Sequence, residues 1–443
     1  MSAADKLHIL GQSVCYDNIR RSLIVDGTLM DMIERRDILD LTSNPSIFMK
    51  AIADSDDYDA DLQTMAWAGL EPLDIFFRLA IKDVQDVADL FRPIYEATGG
   101  ADGFVSLEVD PRLAHDAEGT LEQAVWLWET VDRPNLLVKI PGTVEGLPAV
   151  TEAIAAGINI NVTLIFSRAR YRKVMDAYLK GIERRIEAGL AVDGIAACAS
   201  FFVSRVESKV DDYLQEVVDA GGPKAEIAQS LMGKMAVNNI RLAYQDFEEF
   251  FNSERFLKVS EYGAQKQRPL WASTGTKNPA YSDVKYVESL VAPCSVNTMP
   301  PGTLDAYLDH GDPRVTIYDD LEEAKADFEK YAQIGLSFDK VSEELEAEGL
   351  ASFNAGFDKL LKVIEQRSKQ YVAGLGDLAE AVAARVELFE AEDVVSRIHR
   401  IDPTVWTNEP AGKDEIQTGL GWLKLPAANP SLVNDPYDFA DEV

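Results

Sequence analysis

Eight short apolar or alternating segments recur through roughly the first 300 residues, and each is followed by polar sequence with helical periodicity. They are residues 14–18, 38–44, 103–110, 136–141, 158–166, 195–202, 270–274 and 293–299. Strands that alternate with helices pair in parallel through crossovers, so eight of them predict an α/β fold, a (β/α)8 TIM barrel. Chemically interesting residues fall late in each segment, which puts a site at the C-terminal end of the barrel. Two spacings, 49–100 and 205–268, exceed what one crossover needs and carry helical patterns, so they predict extra helices. Residues 319–333 and 338–370 read as amphipathic helices that close or cover the barrel, making 1–370 one unit. From 371 to 443 the pattern changes to a C-terminal extension, with one more helix near 378–399 and a Pro- and Gly-containing stretch over 408–443. Trp406 and Trp422 mark this extension as a docked segment instead of a solvated linker.

A chain of 443 residues with 47% hydrophobic and 27% charged residues can bury a large core. Its 75 acidic residues outnumber 43 basic ones, for a net charge of -32, which argues against general binding to nucleic acid or an anionic membrane. An anionic small substrate therefore requires a local basic pocket. Cys15, Cys198 and Cys294 lie far apart, and the N-terminal residues lack a signal peptide's apolar run, so the chain reads as reduced and cytoplasmic. His8, His115, His310 and His399 form no metal motif, and no Walker loop or GxGxxG turn is present, so no metal and no nucleotide cofactor is implied. No apolar run reaches the ~20 residues of a membrane span.

Lys139 sits in the run Asn135-Leu-Leu-Val-Lys-Ile-Pro-Gly-Thr143, with apolar residues on both sides. An ammonium buried there is costly unless it is paired or neutral, and burial favours the neutral amine, which is a nucleophile. The bland alternative is a lysine paired with a core carboxylate or reaching solvent at the strand end. Parity weighs against it. Side chains of a barrel strand alternate between interior and helix layer. With Leu136, Val138 and Ile140 outward, Lys139 points in. With Val105, Leu107 and Val109 outward, Ser106, Glu108 and Asp110 point in. Asn159, Asn161 and Thr163 form the inner set of the fifth segment. The same rule places inside Cys15 and Asp17, then Asp40, Thr42 and Asn44, then Cys198 and Ser200, and finally Trp271 and Ser273. Singly, these residues cap helices or shape turns; together they give a selectively polar interior, which costs stability unless the groups satisfy each other or a ligand.

A buried amine, two carboxylates and nearby hydroxyl and amide groups constitute a Schiff-base apparatus for a hydroxyketone. Arg205 and Lys277, near the ends of the sixth and seventh segments, can hold a phosphate at the substrate's far end.

Five motifs carry a resemblance. They are Leu41-Thr-Ser-Asn-Pro-Ser-Ile-Phe48, Val105-Ser-Leu-Glu-Val-Asp-Pro-Arg112, Val138-Lys-Ile-Pro-Gly-Thr143, Ile160-Asn-Val-Thr-Leu-Ile-Phe-Ser167 and Trp271-Ala-Ser-Thr-Gly-Thr-Lys-Asn-Pro279. In order and spacing this set resembles transaldolase of the longer bacterial type, over roughly residues 6–370. The resemblance implies a transferase of the non-oxidative pentose phosphate pathway. It would move a dihydroxyacetone unit from fructose 6-phosphate or sedoheptulose 7-phosphate to erythrose 4-phosphate or glyceraldehyde 3-phosphate. By motif, Lys139 resembles the Schiff-base lysine and Asp17 the acid/base that takes the C4 hydroxyl proton. Glu108 and Thr163 resemble the pair that handles water at the carbinolamine. Asn44, Asn161 and Ser200 match positions that hold dihydroxyacetone hydroxyls, and Arg205, Ser273 and Lys277 match the phosphate end. The loop carrying Lys277 differs in length from that of shorter transaldolases, where an arginine serves. An aldolase of the same architecture, releasing free dihydroxyacetone, is the nearest rival, and a non-catalytic barrel used as a binding module is a more distant one. The segments Asp402-Pro-Thr-Val-Trp406 and Leu420-Gly-Trp-Leu-Lys-Leu-Pro426 look similar to the connection found where transaldolase is fused to a phosphoglucose isomerase domain. They imply a fusion remnant or a docking segment for an isomerase-domain partner or a second subunit.

Overall fold

The computed structural model describes residues 2–420. Eight parallel strands close on themselves in chain order: β1 (Gln12–Asp17), β2 (Asp40–Thr42), β3 (Val105–Glu108), β4 (Leu136–Pro141), β5 (Ile160–Ile165), β6 (Ala197–Phe202), β7 (Arg268–Ala272) and β8 (Ser295–Met299), with β8 paired to β1. The protein is an α/β (β/α)8 TIM barrel. Its outward residues make the main core: Leu136, Val138, Ile140, Ile160 and Val162 are wholly buried against the helix layer. Burying each such side chain contributes about 1.5–3 kcal/mol.

Pairing register positions the chemistry. Glu108 on β3 is paired with Lys139 on β4, Lys139 with Asn161 on β5, and Asn161 with Cys198 on β6. Three polar residues of inward parity therefore stand at one level on neighbouring strands. Beyond them, Pro141 pairs with Thr163. The β5–β6 register then shifts between Val162 and Ile165, where Leu164 adopts φ 61°.

The long gaps are helical. The first holds Pro45–Ala53, Asp59–Trp67 and Pro72–Ala97; the second holds Ser204–Ala220, Pro223–Leu231, Met235–Phe251 and Glu254–Ser260. Leu321–Gln333 and Phe338–Gly374 follow the barrel. The single helix expected near 378–399 is instead two, Ala379–Ala391 and Val394–His399, broken where Asp393 takes φ 49°. One compact unit comprises Met1–Asp59 and Pro72–Ile364; the other comprises Ala60–Glu71 and the chain from Glu365. Residues 60–71 join the second unit through contacts such as the Trp67 indole N–H, which donates to the Tyr371 carbonyl at 3.1 Å. The expected boundary at 370 lies within the helix Phe338–Gly374. Trp422 and the motif segment after Leu420 lie outside the described residues.

One parity assignment is corrected. Trp271 points into the helix layer, where it is fully buried, donates its indole N–H to Leu290 O at 2.9 Å and packs near Tyr244. Leu270 and Ala272 are the inward pair of β7. Alternation stops there because Ser273 has φ 59°, a left-handed turn that swings its side chain inward out of step.

Candidate active site

A pocket of about 580 Å³ opens at the C-terminal end of the barrel, within the size range of small-ligand sites. Eight of the sequence-predicted residues line it: Asp17, Asn44, Lys139, Thr163, Ser200, Arg205, Ser273 and Lys277. Glu108 and Asn161 lie beneath its wall. Lys139 is only 6% exposed and Glu108 5%. The Lys139 Nζ donates to the Ser43 carbonyl at 3.0 Å and stands 3.4 Å from Glu108 Oε2. Among the described residues neither Glu108 oxygen has a hydrogen-bond partner, the contact with Lys139 being an ion pair at longer range. Such a carboxyl has its acceptor capacity left for a water or a reacting hydroxyl.

Burial raises the pKa of Glu108 above the usual carboxylate range; Lys139 pulls it down and Asp17 pushes it up. Burial likewise raises Asp17, against the pull of Lys139, Lys277 and Arg205. Both carboxyls are thereby shifted in the direction that favours the protonated form.

Asn44 caps the helix Pro45–Ala53, its Oδ1 accepting from Ile47 N at 3.0 Å; its Nδ2 makes no described bond and is left for a ligand on the pocket wall. Asn161 is committed at both ends: Nδ2 donates to Ser106 Oγ at 3.2 Å, and Oδ1 accepts from Ser200 Oγ at 2.7 Å. It reaches the pocket through Ser200. Thr163 is almost wholly buried at the rim of β5. Arg205, on the first turn of Ser204–Ala220, has no ion pair among the described residues and lies over the rings of Phe202 and Phe353 at 5.3 and 5.8 Å. Lys277 is exposed and has no ion pair among the described residues, and Ser273 Oγ is 2.9 Å from Ser204 Oγ. In a chain of net charge -32, cations that face one pocket with no ion pair among the described residues have the charge to suit an anion.

Other inward residues serve elsewhere. Asp110 caps a turn and grips Arg112 at 2.9 and 3.0 Å, and Asn159 bonds Pro134 O and Ala196 N. Cys15, Asp40, Ser106 and Cys198 have the expected parity but sit earlier on their strands, where they line a separate cavity at the N-terminal end. Several wall residues escaped the sequence reading, among them Arg20, Lys50, Thr298 and Phe353. Thr298 on β8 follows from the same parity rule, with Val296 and Thr298 inward. Phe353 comes from the helix Phe338–Gly374, whose apolar stripe gives no sign of which ring overhangs the pocket.

Residues 14–364 match the family described as Transaldolase/Fructose-6-phosphate aldolase. The chain belongs to this family. Transaldolase 1 of Streptomyces avermitilis is 47% identical over 361 residues, covering 81% of the chain and 94% of that protein. The transaldolases of Saccharopolyspora erythraea and Thermobifida fusca are each 46% identical, over 83% of the chain and 98% of their own length. The chain is thus a transferase of the transaldolase kind, and the expected fold and class of enzyme stand. Among the described residues no helix is long and apolar enough to cross a membrane.

Proposed function

We propose that the protein transfers a dihydroxyacetone unit from fructose 6-phosphate or sedoheptulose 7-phosphate to erythrose 4-phosphate or glyceraldehyde 3-phosphate. The reaction passes through a Schiff base on Lys139, in the cytoplasm, as a step of the non-oxidative pentose phosphate pathway. The observation that carries this reading is the buried Lys139 amine beside Glu108, a carboxyl with unspent oxygens, on the floor of a pocket bearing Arg205 and Lys277, cations with no ion pair among the described residues.

The amine adds to the ketose C2 carbonyl to give a carbinolamine. Glu108, with Thr163 and a water, protonates the departing hydroxyl, which leaves as water and forms the iminium. Asp17 takes the C4 hydroxyl proton, the C3–C4 bond breaks, and its electron pair passes to the iminium as an enamine. The aldose phosphate departs. An incoming aldehyde then adds to the enamine carbon, Asp17 returns the proton, and water releases the new ketose. Asn44 and Ser200, the latter held by Asn161, bind the hydroxyls of the three-carbon unit; Arg205, Ser273 and Lys277 bind phosphate. The iminium is the electron sink, so the step asks for no metal.

Borohydride reduction in the presence of fructose 6-phosphate, followed by peptide mass spectrometry, tests this. A three-carbon adduct on Lys139 is expected. Normal turnover by Lys139→Ala would defeat the mechanism.

The extension 371–443 is read as a docking segment for a second subunit or an isomerase-domain partner, or as a fusion remnant. Exposed Leu378, Phe389, Val395 and Trp406 support docking. A chain ending at Gln370 that keeps full activity and unchanged oligomeric mass removes that version.

A further inference from the structure

The N-terminal end of the barrel holds a second cavity, of about 690 Å³, larger than the substrate pocket. It is lined by the starts of the strands and by the connections leading into them. Its polar floor is built around Arg268. One guanidinium nitrogen donates to Asp102 Oδ1 at 2.8 Å and Ala101 O at 2.7 Å; the other donates to Ser13 Oγ at 2.6 Å and Ser295 O at 2.7 Å. Ser13 Oγ in turn donates to Asp102 Oδ1. Asp40, 5% exposed, uses Oδ1 to accept from Phe104 N at 2.8 Å.

Charge and hydrogen bonding decide what such a site can take. Arg268 has spent both terminal nitrogens on four acceptors, so it offers an anion little. The side chains of Asp40 and Asp102 outnumber that one committed cation. His8 accepts the Val14 N–H and is held neutral by burial, with its pKa lowered to about 4. Lys266, on the rim, turns to the ring of Phe247 in the helix layer. Besides the buried His8 Nδ1–H, which has no partner among the described residues, what remains is carboxylate acceptor capacity beside an apolar wall. The rings of Tyr95 and Phe104 stand edge to face at 5.4 Å, and Gly103 lets the two segments approach: a Cβ there would lie 2.5 Å from Tyr95 N. Carboxylates next to aromatic rings select organic ammonium groups.

We propose that this cavity binds a small organic amine, its ammonium on Asp40 and its apolar body against Tyr95 and Phe104. The site lies back to back with the substrate pocket. Leu270 lines both cavities, and Ser106, on the wall of this one, accepts the hydrogen bond of Asn161, which holds Ser200 on the wall of the other.

Phenethylamine is the probe, titrated calorimetrically in ~0.15 M salt so that the acidic surface is screened, with phenethyl alcohol and 3-phenylpropionate as the neutral and anionic matches. One-to-one binding of the amine, at least about tenfold tighter than either match, is expected. Asp40→Asn, which keeps the acceptor for Phe104 N, should weaken it by at least about tenfold, and Lys277→Met, in the other pocket, should not. Should the variant fold poorly, crystals of the unmodified protein soaked with 4-bromophenethylamine must show anomalous bromine signal beside Tyr95. Equal binding of the alcohol, undiminished binding by Asp40→Asn, or bromine only in the Lys139 pocket would overturn the proposal. None of these outcomes depends on Schiff-base formation, so the site stands or falls apart from the proposed reaction.

Discussion

Replacing Asp17 by Asn separates the two halves of the proposed reaction. Asp17 has no described hydrogen bond, and the amide is nearly isosteric, so the exchange leaves packing in place. It removes a half-buried carboxyl that desolvation disfavours and forfeits its attraction to Lys139, Lys277 and Arg205, two terms of opposite sign for stability. The chemical effect has one direction. Amine attack and loss of water depend on Lys139, Glu108 and Thr163, whereas C3–C4 cleavage needs a base at the C4 hydroxyl. Loss of a general base typically costs 10²- to 10⁴-fold, or about 3–5 kcal/mol of barrier. Transfer from fructose 6-phosphate to erythrose 4-phosphate should therefore slow by roughly that factor. Borohydride should still trap substrate on Lys139, but as the intact hexose phosphate instead of the three-carbon fragment. A variant that turns over within tenfold of the parent, or that accumulates the three-carbon adduct as fast, would refute the assignment of Asp17.

Lys277→Met should raise KM for fructose 6-phosphate by about 10- to 100-fold, the worth of one charge-assisted contact, with little change in kcat. Because Lys277 also pulls down the Asp17 pKa, the acid limb of the variant's pH–rate profile should move to higher pH; an unmoved limb would contradict that coupling. Phe353→Ala removes one of the two rings under Arg205, so KM should rise more than kcat falls; a pure kcat effect would refute a positioning role for the ring. Asp40→Asn tests linkage at the other end of the barrel. Burial and Asp102 raise the folded Asp40 pKa from 3.8 to about 7, so its contribution to stability is present at low pH and lost as pH rises through that window. Relative to the parent, the variant should gain stability between pH 4 and 7, by an amount on the order of 4 kcal/mol at most, at ~1.4 kcal/mol per pKa unit. Comparing the two proteins at each pH in urea subtracts the opposite trend from His8; a pH-independent difference would show that Asp40 ionises normally.

The strands are legible because a barrel strand buries one face against helices and must alternate. That periodicity survives even where the inner face is polar, as in β3, β4 and β5. Parity says which way a side chain points but not at what height. Cys15 and Asp17 share a face of β1, yet one lines the N-terminal cavity and the other the substrate pocket. Height follows from pairing register, which depends on contacts between strands distant in sequence. Trp271 exposes the other weakness: alternation presumes extended backbone, and one left-handed residue, Ser273, restores an inward side chain to a strand whose tryptophan faces out. Asn161 was recognisable as inward, but nothing local shows that both ends of its amide are used by Ser106 and Ser200. Phe353 arrives from a helix after the eighth strand, so its place over Arg205 is purely tertiary.

The proposed division of labour follows from how each group is held. Glu108, Lys139 and Asn161 stand at one level on three hydrogen-bonded strands, so their spacing is fixed by the sheet and cannot change without breaking the barrel. The chemistry needs that rigidity, since retaining the enamine until an aldehyde arrives depends on sub-ångström placement against water. The phosphate end is built differently. Arg205 opens a helix, Ser273 sits in a left-handed turn and Lys277 lies on an exposed loop. A phosphate is recognised by charge over several ångströms and tolerates such supports. Donors differing by one carbon need the phosphate end to adjust while C2 stays against Lys139, which a strand-borne cation would not allow. On this argument, substitutions that change the preference between fructose 6-phosphate and sedoheptulose 7-phosphate belong at Lys277 and its loop, and those at Glu108 or Asn161 should reduce turnover of both donors alike.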